Sequence, residues 1–184
     1  MPARLCPGMR GAGFIVGLAA VVAAGIAAAP GVSAPRSPAA SLSQLEVGVL
    51  ADINAFRTAH HLAALRLSTS LTAAARSHSQ QMEADGYFAH DSVDGTAFWR
   101  RIQVFYPSTR FGYWSVGENL LWSSPGVDAQ KALTMWENSP EHLKNLLDPH
   151  WREIGVAALH ADRAPGVYRG LPVTIVTTDF GVRR

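Results

Sequence analysis

Leu45, Val49, Leu50, Ile53 and Phe56 recur at three- and four-residue steps, with Asn54 and Arg57 beside the stripe they form. That period predicts an amphipathic helix. Leu62, Leu65 and Leu67 lead into Ser68-Thr69-Ser70, a cluster of N-cap residues. A second helix is predicted from Leu71 to about Ala84, with Leu71, Ala74, Ala75, His78 and Met82 on one side and Asp85-Gly86 ending it. Asp94-Gly95 marks a turn, and Thr96 to about Val104 predicts a third helix. Residues 107–117 are aromatic and aperiodic, and Pro125-Gly126 turns the chain again. Asp128 can cap a helix over Ala129–Asn138. Ser139-Pro140-Glu141-His142 reads as an N-cap, a proline at the first helical position, an acid in the first turn and a histidine at the third position. Asp148-Pro149 closes that short helix. Ile154–Leu159 and Pro172–Phe180, rich in Val, Ile and Thr, predict strands. Helices first and strands last favour an α+β fold over a doubly wound parallel sheet.

Ahead of this periodic region the pattern is different. Arg4 and Arg10 precede an uncharged stretch, Gly11 to Ala29, and small residues follow in Val32-Ser33-Ala34. A positive start, an apolar middle and a small-residue end predict an export signal over residues 1–34. The stretch is only about as long as a minimal membrane span, so a retained N-terminal anchor is the alternative. Residues 35–42 read as a flexible Pro/Ala/Ser-rich linker, and residues 43–184 as the folded domain. A domain of that size can bury a full core without cross-links.

Composition narrows the function classes. Apolar residues make up 48% of the chain and charged residues 16%, which fits a globular protein. The formal net charge is +2, but residues 1–40 hold Arg4, Arg10 and Arg36 and no acid. The domain is left with 13 basic and 14 acidic residues, so a basic nucleic-acid surface is not expected. The single cysteine, Cys6, precedes the apolar run. An exported domain would therefore carry no disulfide, thiolate metal site or cysteine nucleophile.

Four positions can carry chemistry. His90 follows a helix in Tyr87-Phe88-Ala89-His90-Asp91-Ser92, and Glu118 stands between Gly117 and Asn119. Glu137 follows Trp136, and His142 lies in the first turn of the Pro140 helix, where the helix dipole disfavours imidazolium. Two neutral imidazoles with one or two carboxylates match zinc with an open water position, whereas calcium and magnesium want more oxygen ligands. Each residue also has an ordinary reading: a hydrogen-bonded histidine, a glutamate that caps a turn, a solvated helix glutamate. His60-His61 fall at the end of the first helix, and His78 reads as a buried, satisfied histidine. No HExxH, Walker loop or dinucleotide fingerprint occurs.

Taken in order, these stretches resemble the CAP superfamily (cysteine-rich secretory, antigen 5 and pathogenesis-related 1 proteins), in its short cysteine-free bacterial SCP-like branch. The resemblance covers residues 46–182. It rests on Asn54-x-x-Arg57, Leu71 to Ser79 with Met82, Phe88-Ala89-His90-Asp91-Ser92, Gly117-Glu118-Asn119-Leu120, Trp136 to His142, Ile154-Gly155-Val156 and Thr178-Asp179-Phe180-Gly181. It implies a three-layer α-β-α sandwich with a central antiparallel sheet and a large cleft. It also implies a divalent metal, zinc favoured, held by His90, Glu118 and His142 with Glu137 as second acid. Eukaryotic members place that glutamate three residues after the Trp, where this chain has Ser139. Glu141, replacing the usual Gly before His142, is the alternative second acid. The function implied is a secreted, monomeric binding module for a small-molecule, lipid or cell-envelope ligand. A metal-assisted hydrolase with Glu118 as base, and a structural envelope protein with a vestigial cleft, are the alternatives.

Overall fold

Ser43 starts the first helix by accepting a hydrogen bond from the Glu46 amide, while the Glu46 carboxylate accepts one from the Ser43 amide. This capping box satisfies two orphan donors at once. The computed structural model describes residues 42–184, so the predicted export signal and almost all of the linker lie outside the described residues. The elements run α1 (Gln44–Ala59), β1 (Arg66–Leu67), α2 (Thr69–Asp85), α3 (Phe98–Phe105), β2 (Trp114–Ser123), α4 (Ala129–Glu137), α5 (Pro140–Leu147), β3 (Glu153–Ala161) and β4 (Val173–Arg183), with a 3₁₀ turn at Gly166–Tyr168.

The sheet order is β1-β3-β4-β2. β3 and β2 both pair antiparallel with β4, and only the two-residue β1 runs parallel to β3. Even-numbered residues of the two paired strands β3 and β4 (Ile154, Val156, Val176, Phe180 and Val182) pack with Val49 and Ile53 of α1, Trp136 of α4 and Leu146 of α5. The opposite face meets α2 and α3: Met82 packs with Leu120 and Ile175, and Leu71 and Ala74 with Ile102 and Tyr106. Helices therefore cover both faces of a central sheet, as the expected α-β-α sandwich requires. Burying both faces explains why β4 alternates so weakly between apolar and polar residues.

Close packing has local causes. A Cβ on Gly155 of β3 would lie 2.1 Å from the Leu71 carbonyl carbon and 2.2 Å from the Thr72 nitrogen, so only glycine lets the start of α2 rest on the strand. Asn54 brackets Leu65, donating to its carbonyl at 3.1 Å and accepting from its amide at 2.7 Å. Arg57 is fully buried and donates to the carbonyls of Ala63, Leu146 and Asp148, tying α1 to the end of α5. These bonds explain why an Asn and an Arg stand beside the first helix's apolar stripe: they close backbone groups that no helix or strand satisfies.

The largest departure from the sequence reading is β2. Its ten residues were expected to begin in an irregular segment, with Glu118 between a flexible glycine and an amide. Gly117, Glu118 and Asn119 are poor strand formers, and pairing with β4 from Trp114↔Arg183 to Ser123↔Thr174 overrides that local preference.

Candidate functional site

β2 is an edge strand, and its edge is where the two helical layers meet. Glu118 points to the α2–α3 side, whereas its neighbour Asn119 points to α5, donating to the His142 carbonyl at 3.0 Å and accepting from Asn145 at 2.9 Å. Asn145 also donates to the Glu118 carbonyl at 3.0 Å, covering a backbone group that an edge strand would otherwise expose. At Gly117 a Cβ would meet the Trp151 ring at 2.8 Å. Gly117-Glu118-Asn119 thus supplies a close approach, an acid buried toward α2 and α3, and an amide buried toward α5 in three consecutive positions.

The Glu118 side chain is 1% exposed, and both of its oxygens are engaged. Oε1 meets His90 Nδ1 at 2.8 Å, and Oε2 accepts from Arg101 Nη2 on α3. Burial opposes ionisation of this carboxyl, yet His90, Arg101 and His78 together hold it below the usual carboxylate range. His78 is buried on α2 with Nε2 at 2.9 Å from the Ala89 carbonyl; burial keeps its pKa low, against the pull of the Glu118 charge. It is thus buried as expected, although its Nδ1 finds no partner among the described residues.

His142 arrives from the other layer. Its Nδ1 lies 2.8 Å from Ser139 Oγ, and Ser139, the N-cap of α5, makes no side-chain bond to the helix backbone. Burial and the neighbouring His90 lower the His142 pKa, with Glu141 opposing them, so the site favours the neutral imidazole. His90, Glu118 and His142 line one cavity of about 540 Å³ with Phe98, Ser139 and Glu141. Its volume falls in the range of small-molecule sites.

The structure brings His90, Glu118 and His142 together, and Glu141 with them. Glu137 sits at the end of α4 and does not line this cavity. Among the described residues no three His, Cys, Asp or Glu side chains converge as a ready-made metal cage. Two imidazoles line the cavity, each with its Nδ1 held by a hydrogen bond. Sequence reasoning missed Arg101 and Asn145, which hold the site, and Asp179, which is fully buried opposite Glu118. Arg101 carried a faint signal as a cation on the buried face of a short helix; Asp179 stood in the Thr178-Asp179-Phe180-Gly181 stretch of the resemblance but was not read as part of the site.

A helix-clad antiparallel sheet with this His/Glu cleft at its edge defines the class of protein. The model of the cysteine-rich secretory protein family, CAP, matches residues 50–176, and the chain belongs to that family. It is 31% identical over 120 residues to the uncharacterized protein YkwD of Bacillus subtilis (strain 168), covering 65% of this chain and 44% of that one. An extracellular protein containing a SCP domain, from Bacillus anthracis str. Ames, superposes with a TM-score of 0.56 and 29% identity over 83% of this chain and 45% of that one. An outer surface protein from Borrelia burgdorferi shares the fold, with a TM-score of 0.57 and 20% identity over 74% of this chain and 90% of that one. The chain thus spans less than half the length of its two Bacillus relatives. Among the described residues no helix is long and apolar enough to cross a membrane.

Proposed function

We propose that the chain acts outside the cytoplasm as a CAP-domain binding module whose cleft holds a divalent metal, zinc favoured over calcium or magnesium, and through it a small-molecule, lipid or envelope ligand. One observation carries the reading: in a single cavity, Glu118 and Ser139 each engage the Nδ1 of a histidine at 2.8 Å, leaving both Nε2 atoms available. Fixing one ring nitrogen with an outer partner is how proteins orient a metal-ligating imidazole. Two nitrogens suit zinc with water completing an open shell, and they are too few and too soft for calcium or magnesium. In this reading His90 and His142 are the ligands, Glu118 orients His90, and Glu141 adds negative charge at the rim.

Binding is favoured over hydrolysis because His90 and Arg101 each hold one oxygen of Glu118 and keep its pKa below the usual range, which makes it a weak base. The export signal read in residues 1–34, and the extracellular and outer-surface descriptions of two similar structures, support the location. The near-neutral domain charge supports a partner other than nucleic acid, and the protein is proposed to act as a monomer. Calorimetric titration with zinc, then calcium and magnesium, tests the site. Saturable zinc binding that disappears in His90→Ala/His142→Ala supports it, and no zinc binding by the wild-type protein overturns it.

A further inference from the structure

Tyr113 and Arg184 exchange both backbone bonds, at 2.9 and 3.0 Å, and the antiparallel register then runs unbroken from Trp114↔Arg183 to Ser123↔Thr174. The odd-numbered residues of β2 therefore bond to β4. Trp114, Val116, Glu118, Leu120 and Trp122 turn their N–H and C=O groups away from it. Midway along the strand the outward carbonyls are covered. Asn145 Nδ2 donates to the Glu118 carbonyl at 3.0 Å, and Trp136 Nε1 to the Leu120 carbonyl at 3.1 Å. At Trp114 and Val116 no group among the described residues bonds to the outward N–H or C=O; the only bond of this kind at Trp114 is made by its indole.

The uncovered edge enters the cleft. Val116, Gly117 and Glu118 form one wall of the cavity of about 540 Å³, and Glu141, His142 and Lys144 stand across from them. The Val116 side chain packs with Leu71, Ile102 and Tyr106 beneath α2 and α3, so what Val116 shows the cavity is its backbone. Gly117 beside it has no side chain to screen that backbone. A strand edge that is covered at Glu118 and Leu120 but open where it borders a cavity is a template for one more strand.

We infer that the cleft takes an extended peptide segment of another polypeptide, which pairs its backbone with the outer edge of β2 at Val116 and Trp114. Spacing decides the class. The outward groups recur at every second residue, about 6.7 Å apart, and each such residue offers one donor and one acceptor. A peptide in the β conformation repeats the complementary pair at the same interval. A lipid tail would desolvate these groups and pair none of them, and a single carboxylate or sugar ring is too short to meet both residues. An added strand alternates its side chains between the two faces. The residue opposite Val116 would face Phe98 on the α3 side, where an apolar side chain is expected, and its neighbours would face Lys144 and Asn145 of α5. This inference rests on reading the cleft as a binding site, and not on its metal.

The test is to pan the full chain, stripped of metal with EDTA, against a random heptapeptide library displayed on phage. Enriched sequences are resynthesised with blocked ends, and calorimetry follows each of them and its copies N-methylated at one position at a time. The expected result is saturable binding that falls tenfold or more on methylation at alternate positions and is spared at those between, because only every second N–H of an added strand faces β2. Val116→Pro deletes the outward N–H and no sheet bond, so it should weaken binding tenfold or more, with a thermal melt to check that it folds. If it does not fold, the methylation pattern decides alone. Binding should persist in His90→Ala/His142→Ala. The inference is overturned if no peptide is enriched, if methylation acts without alternation, if folded Val116→Pro binds as well as the wild type, or if binding vanishes in the double histidine variant. Peptide binding with the alternating pattern in a protein that takes up no zinc would strike the metal reading alone.

Discussion

Glu118 of β2 and Asp179 of β4 stand directly opposite each other in the sheet, two carboxyl side chains on one buried face. Two such groups in contact cannot both ionise. Arg101 and His90 settle which one does, because both serve Glu118, whereas neither oxygen of Asp179 meets a donor among the described residues. Burial first, and then the Glu118 charge, push the Asp179 pKa well above its ordinary range. The fold therefore favours the protonated form of Asp179 and the charged form of Glu118.

This asymmetry sets a pH dependence. The unfolded chain loses the Asp179 proton near pH 4, while the native state retains it well above that, so this residue's contribution to stability declines as pH rises from about 4 through its native pKa. Asp179→Asn supplies a permanently neutral group of the same shape. Its melting temperature at about pH 8 should equal or exceed that of the wild type, with a flatter profile between about pH 5 and 8. A clear loss at pH 8 alone would show that the native carboxyl is charged.

Removing one member of the Arg101–Glu118 pair strands the other as a buried charge. Arg101→Met and Glu118→Leu should each cost about 3–5 kcal/mol, and the double variant should recover most of that, because a buried pair replaced by apolar groups is often near neutral. Urea unfolding of all four proteins measures the coupling. Additive losses would mean that the two side chains act independently.

Ser139→Ala isolates the orienting bond on His142. Ser139 makes no side-chain bond to its helix, so the fold should lose little, while zinc affinity should fall about tenfold or more. Calorimetry beside a thermal melt separates the two effects. Unchanged affinity would mean that His142 needs no outer partner, or is not a ligand.

Gly155→Ala should destabilise the protein by about 3 kcal/mol, since the new methyl group would collide with the backbone of α2 and cannot be repacked away. Gly95→Ala, where nothing lies within 4 Å but φ is +81°, should cost only about 1 kcal/mol of backbone strain. Chemical denaturation of the pair distinguishes steric closure from conformational freedom.

Much of this was legible from the chain. The helices follow the apolar periods and caps, because Ser68, Asp128, Pro140 and Gly86 are local signals with local effects, although the capping box at Ser43 went unread. β3 and β4 appeared as Val- and Thr-rich runs. β2 did not, since its strand character comes from β4 and not from Gly117, Glu118 or Asn119. His90, Glu118 and His142 were found by resemblance to a family pattern, and the fold does place them around one cavity. Glu137, two residues before the family position Ser139, ends α4 and does not line the cavity, whereas Ser139 does. Arg101 and Asp179 became visible only in three dimensions, because each matters through a partner 17 residues or more away.

β4 lies between β3 and β2, yet it follows both in the chain, and ten of its eleven residues are buried. Until it is made, the two strands it joins have no common partner, and Glu118 has no carboxyl opposite it. A growing chain therefore leaves the ribosome with its α-helices free to form locally but with its sheet postponed. Such an order of assembly keeps the sheet open, whatever the helices have done, until the C-terminal strand is there to close it.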